Sequence, residues 1–187
     1  MALHNDVFNQ QIWDFFSNDM DSCFEVSKNK QKFQSKSPFK GGLNFTAALA
    51  ILSVIDFCAA FYYGRRVSQP EIAVFMNKYF SKYDDTFNST DRCEKFYNVF
   101  RNGLSHQWSP KASGIAMNFS SGILVGIVDD ILILNVPKFY QVVISGIKDY
   151  EEDMDDGNYL DEFKQRYEDI LVTDSNAARL LKTELGL

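Results

Sequence analysis

Residues 44–63 read NFTAALAILSVIDFCAAFYY and are apolar nearly all round. A helix without a polar stripe must be surrounded, by lipid or by other helices, and that requirement constrains this chain more than any other feature. A carboxylate, Asp56, stands in mid-segment, no second stretch of this kind occurs, and the flanking sequence is strongly amphipathic. The segment therefore reads as the central helix of a bundle rather than as a membrane span. An unpaired carboxylate inside a bundle is costly, so Asp56 needs a partner. Arg101 is the first candidate, with Arg65 and Arg66 next.

The surrounding elements can be read from periodicity. Val7, Phe8, Ile12, Phe15, Phe16, Met20, Cys23 and Phe24 recur at three- and four-residue steps and predict a first helix over 7–24. Residues 27–42 form a basic connection with Lys28, Lys30, Lys32, Lys36 and Lys40, open to two readings, a solvated link or a phosphate-contacting arm. Ser68-Gln69-Pro70-Glu71 has the form of a capping box with proline in the first turn, predicting a helix over 69–80 with Ile72, Val74, Phe75, Met76 and Tyr79 inward. Asp91 and Glu94 suggest a cap for a fourth helix whose buried stripe is Cys93, Phe96, Tyr97, Phe100 and Leu104.

Beyond Pro110 the period changes. Residues 115–119, 123–128 and 131–134 are short β-rich runs, read as a small antiparallel β-meander at about 113–134 inserted before the C-terminal helices. From Val136 a fifth helix carries Phe139, Val142, Val143, Ile147, Tyr150 and Met154, and a sixth carries Leu160, Phe163, Tyr167, Ile170 and Leu171. Asp174 or Ser175 is expected to cap a last short helix with Leu180, Leu181 and Leu185 inward. The whole, residues 1–187, reads as one mainly α domain, with a helical core over 7–112 and 136–187.

Composition narrows the function classes. The 17 Phe and 9 Tyr indicate an aromatic core, and a net charge of -6 argues against generic electrostatic capture of nucleic acid while leaving room for a local basic patch. Cys23, Cys58 and Cys93 are widely spaced at apolar helical positions and read as reduced core residues. With no basic leader or apolar h-region at the N-terminus, the expected address is the cytoplasm. There is no phosphate-binding glycine loop, no His-Glu-x-x-His, no Cys/His metal spacing and no Gly-x-Ser-x-Gly elbow, so the reading calls for neither metal nor cofactor. The acidic run from Glu151 to Glu162 fails as a calcium loop, because Met154 and Phe163 fall where ligands are required, and reads as a solvated face. His4 is assigned no role.

What remains is YNVFRNGLSHQWSPK, residues 97–111. Tyr97, Phe100 and Leu104 point inward by their spacing, leaving Arg101, Asn102, Ser105 and His106 off the buried stripe. A histidine titrating near neutrality can serve as base or acid, and a guanidinium matches two phosphate oxygens at once. Asn102 lies one turn before His106 and could orient its ring. In an ideal helix Arg101 stands about 140° from His106, so the two do not share a face. Trp108 and Lys111 could add a stacking surface and a phosphate contact.

RNGLSH, an arginine followed by a polar residue and, five positions on, a histidine, resembles the motif of the HEPN superfamily. The resemblance covers mainly residues 7–111 and extends to an up-and-down helical bundle with the motif late in a helix. It implies a metal-independent endoribonuclease acting as a homodimer, with Arg101, Asn102 and His106 catalytic and a second copy completing the site. One histidine per motif for two proton transfers agrees with that arrangement. The resemblance equally covers non-catalytic modules for dimerisation, protein or nucleotide binding, including pairing with a nucleotidyltransferase. The competing reading of the residues is a structural one, with Arg101 paired to Asp56 and His106 capping helix-end carbonyls.

Overall fold

The protein, a computed structural model, is described over residues 2–28, 43–107, 111–117 and 122–185, the side chains of His106, Gln107 and Asp174 excepted. Six helices and one small sheet account for most of it. Helix α1 joins Leu3–Val7, a wider π-wound stretch Phe8–Phe16 and Ser17–Lys28 end to end; α2 is Asn44–Tyr62, α3 Gln69–Phe80, α5 Val136–Asp155 and α6 Leu160–Leu185. Helix α4 is composite as well, running through Thr90–Tyr97, a π turn Asn98–Asn102 and Gly103–Gln107. Strands β1 (Ser113–Ala116), β2 (Val125–Val128) and β3 (Ile131–Asn135) lie between α4 and α5. The lysine-rich positions 29–42 fall outside the described residues, while Ser27 and Lys28 close α1 instead of opening a loop.

Helix α2 has the central place its composition demands. Ala47, Ala48, Ile51, Leu52, Ile55, Cys58 and Ala59 are fully buried. By length and composition it could also cross a membrane, and half of its most apolar window is buried inside the protein. Around it the core is aromatic: Phe61 and Phe163 rings lie 4.3 Å apart, and Phe8 meets Tyr150 edge-on at 5.8 Å. Gly146 allows α5 to close on α3, since a Cβ there would stand 2.7 Å from the Tyr79 carbonyl oxygen and 2.3 Å from Phe80 Cδ1.

The capping box at α3 forms as the sequence requires, with Glu71 accepting from the Ser68 amide at 2.8 Å. Elsewhere tertiary packing corrects the pattern. Phe15 and Val74, assigned to buried stripes by spacing, are exposed, and Ala73 is buried beside Ile72 instead. Ser89 caps α4, its Oγ accepting from the Arg92 amide at 3.3 Å, where Asp91 and Glu94 had been expected. His4 is buried, with Nε2 2.9 Å from Asp155 Oδ1. The acidic run is not uniformly solvated: Glu151 accepts from Trp13 Nε1, and Asp153 from Tyr79 Oη and Lys78 Nζ.

The expected antiparallel meander is a mixed sheet of order β1-β3-β2. β2 and β3 form the anticipated hairpin, Val128 facing Ile131 across Asp129 and Asp130, both with positive φ as a tight type I′ turn demands. β1, however, lies parallel to β3 on its far edge, Ser113 opposite Leu132. Alternating hydrophobicity is the same for either direction of pairing, so the pattern could not distinguish them. Asn135 ends β3 and caps α5, accepting from the Lys138 amide at 3.4 Å.

A second correction concerns the C-terminus. Helix α6 runs unbroken through Asp174 and Ser175. Leu171, Leu180, Leu181 and Leu185, three of them expected to point inward in a short last helix, are 50–62 % exposed. A polar residue interrupts a helix only when a competing cap or turn is favoured by its surroundings, and the described residues offer no packing surface here to favour one.

Candidate functional site

The candidate segment is displayed by its own apolar stripe. Cys93, Phe96, Tyr97, Phe100 and Leu104 are buried, which fixes the rotation of α4 and turns Arg101 and Asn102 toward its edges. The π turn at Asn98–Asn102 widens the helix just before the motif, so the angular spacing of an ideal α-helix does not hold across it. Such wide turns recur at functional sites. Gly103, next in sequence, is buried.

Arg101 reaches α2. Its Nε donates to Asp56 Oδ2 at 2.8 Å, while the hydroxyl of Tyr97 donates to Oδ1 of the same carboxylate at 2.8 Å. The arginine is 25 % exposed and Asp56 24 %, so this is a half-buried pair at the rim of the core. Among the described residues neither Nη of Arg101 is tied to a carboxylate or a carbonyl. The guanidinium is thus fixed to α2 by its Nε edge and lies against the Tyr97 hydroxyl as well. Burial pushes the Asp56 carboxyl above its ordinary range, opposed in part by hydrogen bonds from Tyr97 and Arg101; burial beside the carboxylate also raises the Tyr97 hydroxyl.

Asn102 turns the other way, toward α3. Its Nδ2 donates to Gln69 Oε1 at 3.1 Å and to Asn98 Oδ1 at 3.3 Å, and Gln69 Nε2 in turn donates to the Glu94 carbonyl at 3.2 Å. Lys111 Nζ donates to the same Asn98 oxygen at 2.7 Å, and its amide to the Val99 carbonyl at 3.2 Å. Lys111 is therefore brought back beside α4, four residues beyond the helix end. Ser105 is exposed. The side chain of His106 and the whole of Trp108 lie outside the described residues; the backbone of His106 is helical.

The structure thus divides the three: Arg101 stands with Asp56 and Tyr97, while Asn102 and Lys111 meet at Asn98, and no hydrogen bond joins the two clusters among the described residues. One is anionic at its base, Asp56 with Tyr97 and Arg101; the other is a chain of amides ending in a lysine. Sequence reasoning named Asp56 as the partner of Arg101 but missed Tyr97, Gln69 and Asn98. For Tyr97 a signal existed, since a buried tyrosine hydroxyl ordinarily finds an acceptor. Asn98 stands four residues before Asn102, a spacing that brings side chains together on a helix. Gln69 belongs to another helix, and nothing local marks it.

The sheet supports α4 from its opposite side. Phe96, Val99 and Phe100 face Val125 and Leu132 across an apolar recess of about 230 Å³. Asn44 Nδ2 ties β1 to the start of α2 through the Ile115 carbonyl at 3.1 Å. Comparison of the chain with protein families, with curated proteins and with solved structures finds no match.

Proposed function

We propose that the protein is a HEPN-like, metal-independent endoribonuclease that acts as a cytoplasmic homodimer. The observation that carries this reading is the mounting of Arg101: Asp56 fixes the Nε edge of the guanidinium, and among the described residues neither Nη is tied to a carboxylate or a carbonyl, a preorganised cation about one-quarter exposed. Lys111 adds a second cation beside the same helix, at Asn98. In the proposed reaction Arg101 binds the non-bridging oxygens of a phosphodiester. His106 takes the proton from the neighbouring ribose 2′-hydroxyl or delivers one to the leaving 5′-oxygen. The 2′-oxygen bonds to phosphorus as the bond to the 5′-oxygen breaks, leaving a 2′,3′-cyclic phosphate and a 5′-hydroxyl. The second histidine needed for the other transfer comes from the second copy. Asn102 acts as a positioning residue, Ser105 and Trp108 as substrate contacts.

A second reading has its own support. Arg101 and Asn102 both make hydrogen bonds within the chain, tying α4 to α2 and α3, as they would in a non-catalytic module for dimerisation or for binding a protein or nucleotide.

One experiment separates them. Purified protein in EDTA is incubated with a mixed RNA pool, and the ends formed are mapped. The enzyme reading expects cleavage with 2′,3′-cyclic phosphate ends, abolished in His106→Ala and reduced by about tenfold or more in Arg101→Lys, both variants folded by circular dichroism. Undiminished cleavage by His106→Ala overturns the assignment. Failure of the wild-type protein to cut any RNA leaves the module reading.

A further inference from the structure

Helix α6 begins as part of the core and ends outside it. Phe163 is fully buried and Tyr167 and Ile170 are half-buried, but from position 171 to 185 every described side chain is exposed. About 22 Å of helix therefore stands clear of the body. A helix of that length is marginal in water without a packing partner. Yet its apolar stripe does not stop where the body does. At about 100° per residue, Leu171, Ala178, Leu181 and Leu185 fall within about 80° of one another and continue the line of Phe163 and Tyr167. The steps 171, 174, 178, 181, 185 alternate three and four, the spacing of a helix-pairing seam.

We propose that this arm pairs antiparallel with the same arm of a second copy, forming a two-fold homodimer. Placing the two-fold axis near residue 176 sets Leu171 of each copy against Leu181 of the other, and Leu185 against the half-buried Tyr167. It also sets Asp174, the one acid on this spacing, opposite Ala178 rather than opposite itself. Charge agrees with the same register on both flanks. Glu168 and Lys182 border one side of the stripe, Arg166 and Glu184 the other. In the antiparallel pair each Glu168 lies within two residues, about 3 Å along the axis, of Lys182 of the second copy, and each Arg166 within the same distance of Glu184. Arg166 has no ion-pair partner among the described residues, and its buried Nε lacks an acceptor. Among the described residues Glu168 has only Lys164, at 4.0 Å on the exposed surface. A parallel pair would crowd both bodies at one end, beside a stripe each already uses at Phe163 and Ile170.

The arm residues are distinct from those of the Arg101 site, and their pairing does not rest on the ribonuclease reading, which asks only that the same second copy also reach His106. The test is sedimentation velocity on the full chain over a concentration series. The wild-type protein is expected to form dimers, and His106→Ala to do so equally, whatever becomes of RNA cleavage. Leu181→Glu, at an exposed position, should leave the circular dichroism of the body intact and weaken the dimer by about a hundredfold or more. Lys182→Glu should weaken it by about fivefold or more, and the double swap Glu168→Lys with Lys182→Glu should restore it, because only antiparallel self-pairing brings those two positions together. A monomer at every concentration overturns the proposal. So does a dimer indifferent to Leu181→Glu, or one that the double swap fails to restore.

Discussion

Arg101 and Asp56, 45 positions apart in sequence, meet at 2.8 Å through Nε and Oδ2, and Tyr97 holds the other carboxylate oxygen at the same distance. The carboxylate is thus shared by two donors from α4, and the two ends of the pair are not equivalent. Asp56→Ala leaves a guanidinium and a buried hydroxyl without an acceptor and should cost about 2–4 kcal/mol. Arg101→Ala leaves Asp56 still bound by Tyr97 and should cost less, about 1–2 kcal/mol. Urea unfolding of the two variants checks the order; an equal or reversed cost would mean that Tyr97 does not hold the carboxylate.

Gly146→Ala is expected to destabilise the fold by about 3 kcal/mol. The added methyl would meet the Tyr79 carbonyl oxygen at 2.7 Å as well as the Phe80 ring. A ring can swing aside, but the backbone of α3 cannot do so without moving the helix. Thermal or urea unfolding reads the loss, and a variant as stable as wild type would show that α3 and α5 can separate at no cost.

Lys78 joins three elements. Its Nζ donates to Asp153 Oδ2 at 3.0 Å and Tyr159 Oη at 2.7 Å, and it lies over the rings of Tyr62, Tyr79 and Tyr159 at 5.2, 4.7 and 4.5 Å. Lys78→Met keeps much of the stem but removes the cation and both hydrogen bonds, and should cost about 1–2 kcal/mol. The loss should be little changed by salt, because the aromatic contacts are short-ranged. A cost that vanishes in high salt would reduce the cluster to a surface ion pair.

Two carboxylates push the acid stability of the protein in opposite directions. Hydrogen bonds from the Ser68 backbone and side chain, with Arg65 beside them, hold Glu71 down at about 2 against an ordinary 4.5, so its contribution is complete above pH 4.5 and is lost as pH falls toward 2. Burial raises Asp56 above its ordinary 3.8, so its protonation favours the fold: that contribution is complete below pH 3.8 and lost as pH rises through the raised value. Stability measured against pH should therefore fall less steeply in acid for Glu71→Gln than for wild type, and more steeply for Asp56→Asn. Identical slopes for all three proteins would show that neither group titrates differently on folding.

Much of the architecture could be read before any coordinates were known. The all-apolar segment became the central helix, Ser68 and Glu71 formed their capping box, and Asp56 found Arg101. These succeeded because each rests on local geometry or on a charge that must be neutralised. The site was legible in part: the stripe of Tyr97, Phe100 and Leu104 turned Arg101 and Asn102 outward from the core. It gave no hint that Asn102 would spend its amide on Gln69, since that contact depends on how α3 lies against α4.

The sequence by itself determined which segments are helical, which faces are apolar, and that a buried acid would need a base. Tertiary structure alone decided where the body ends. Leu171, Leu181 and Leu185 carry the same periodicity as Phe163 and Tyr167, and periodicity reports only that a face is apolar. Whether that face meets the core, water or a second copy depends on how far the other helices extend along it, and here they stop at Ile170. The same limit applies to the sheet: alternation made three strands, but only packing set β1 parallel to β3.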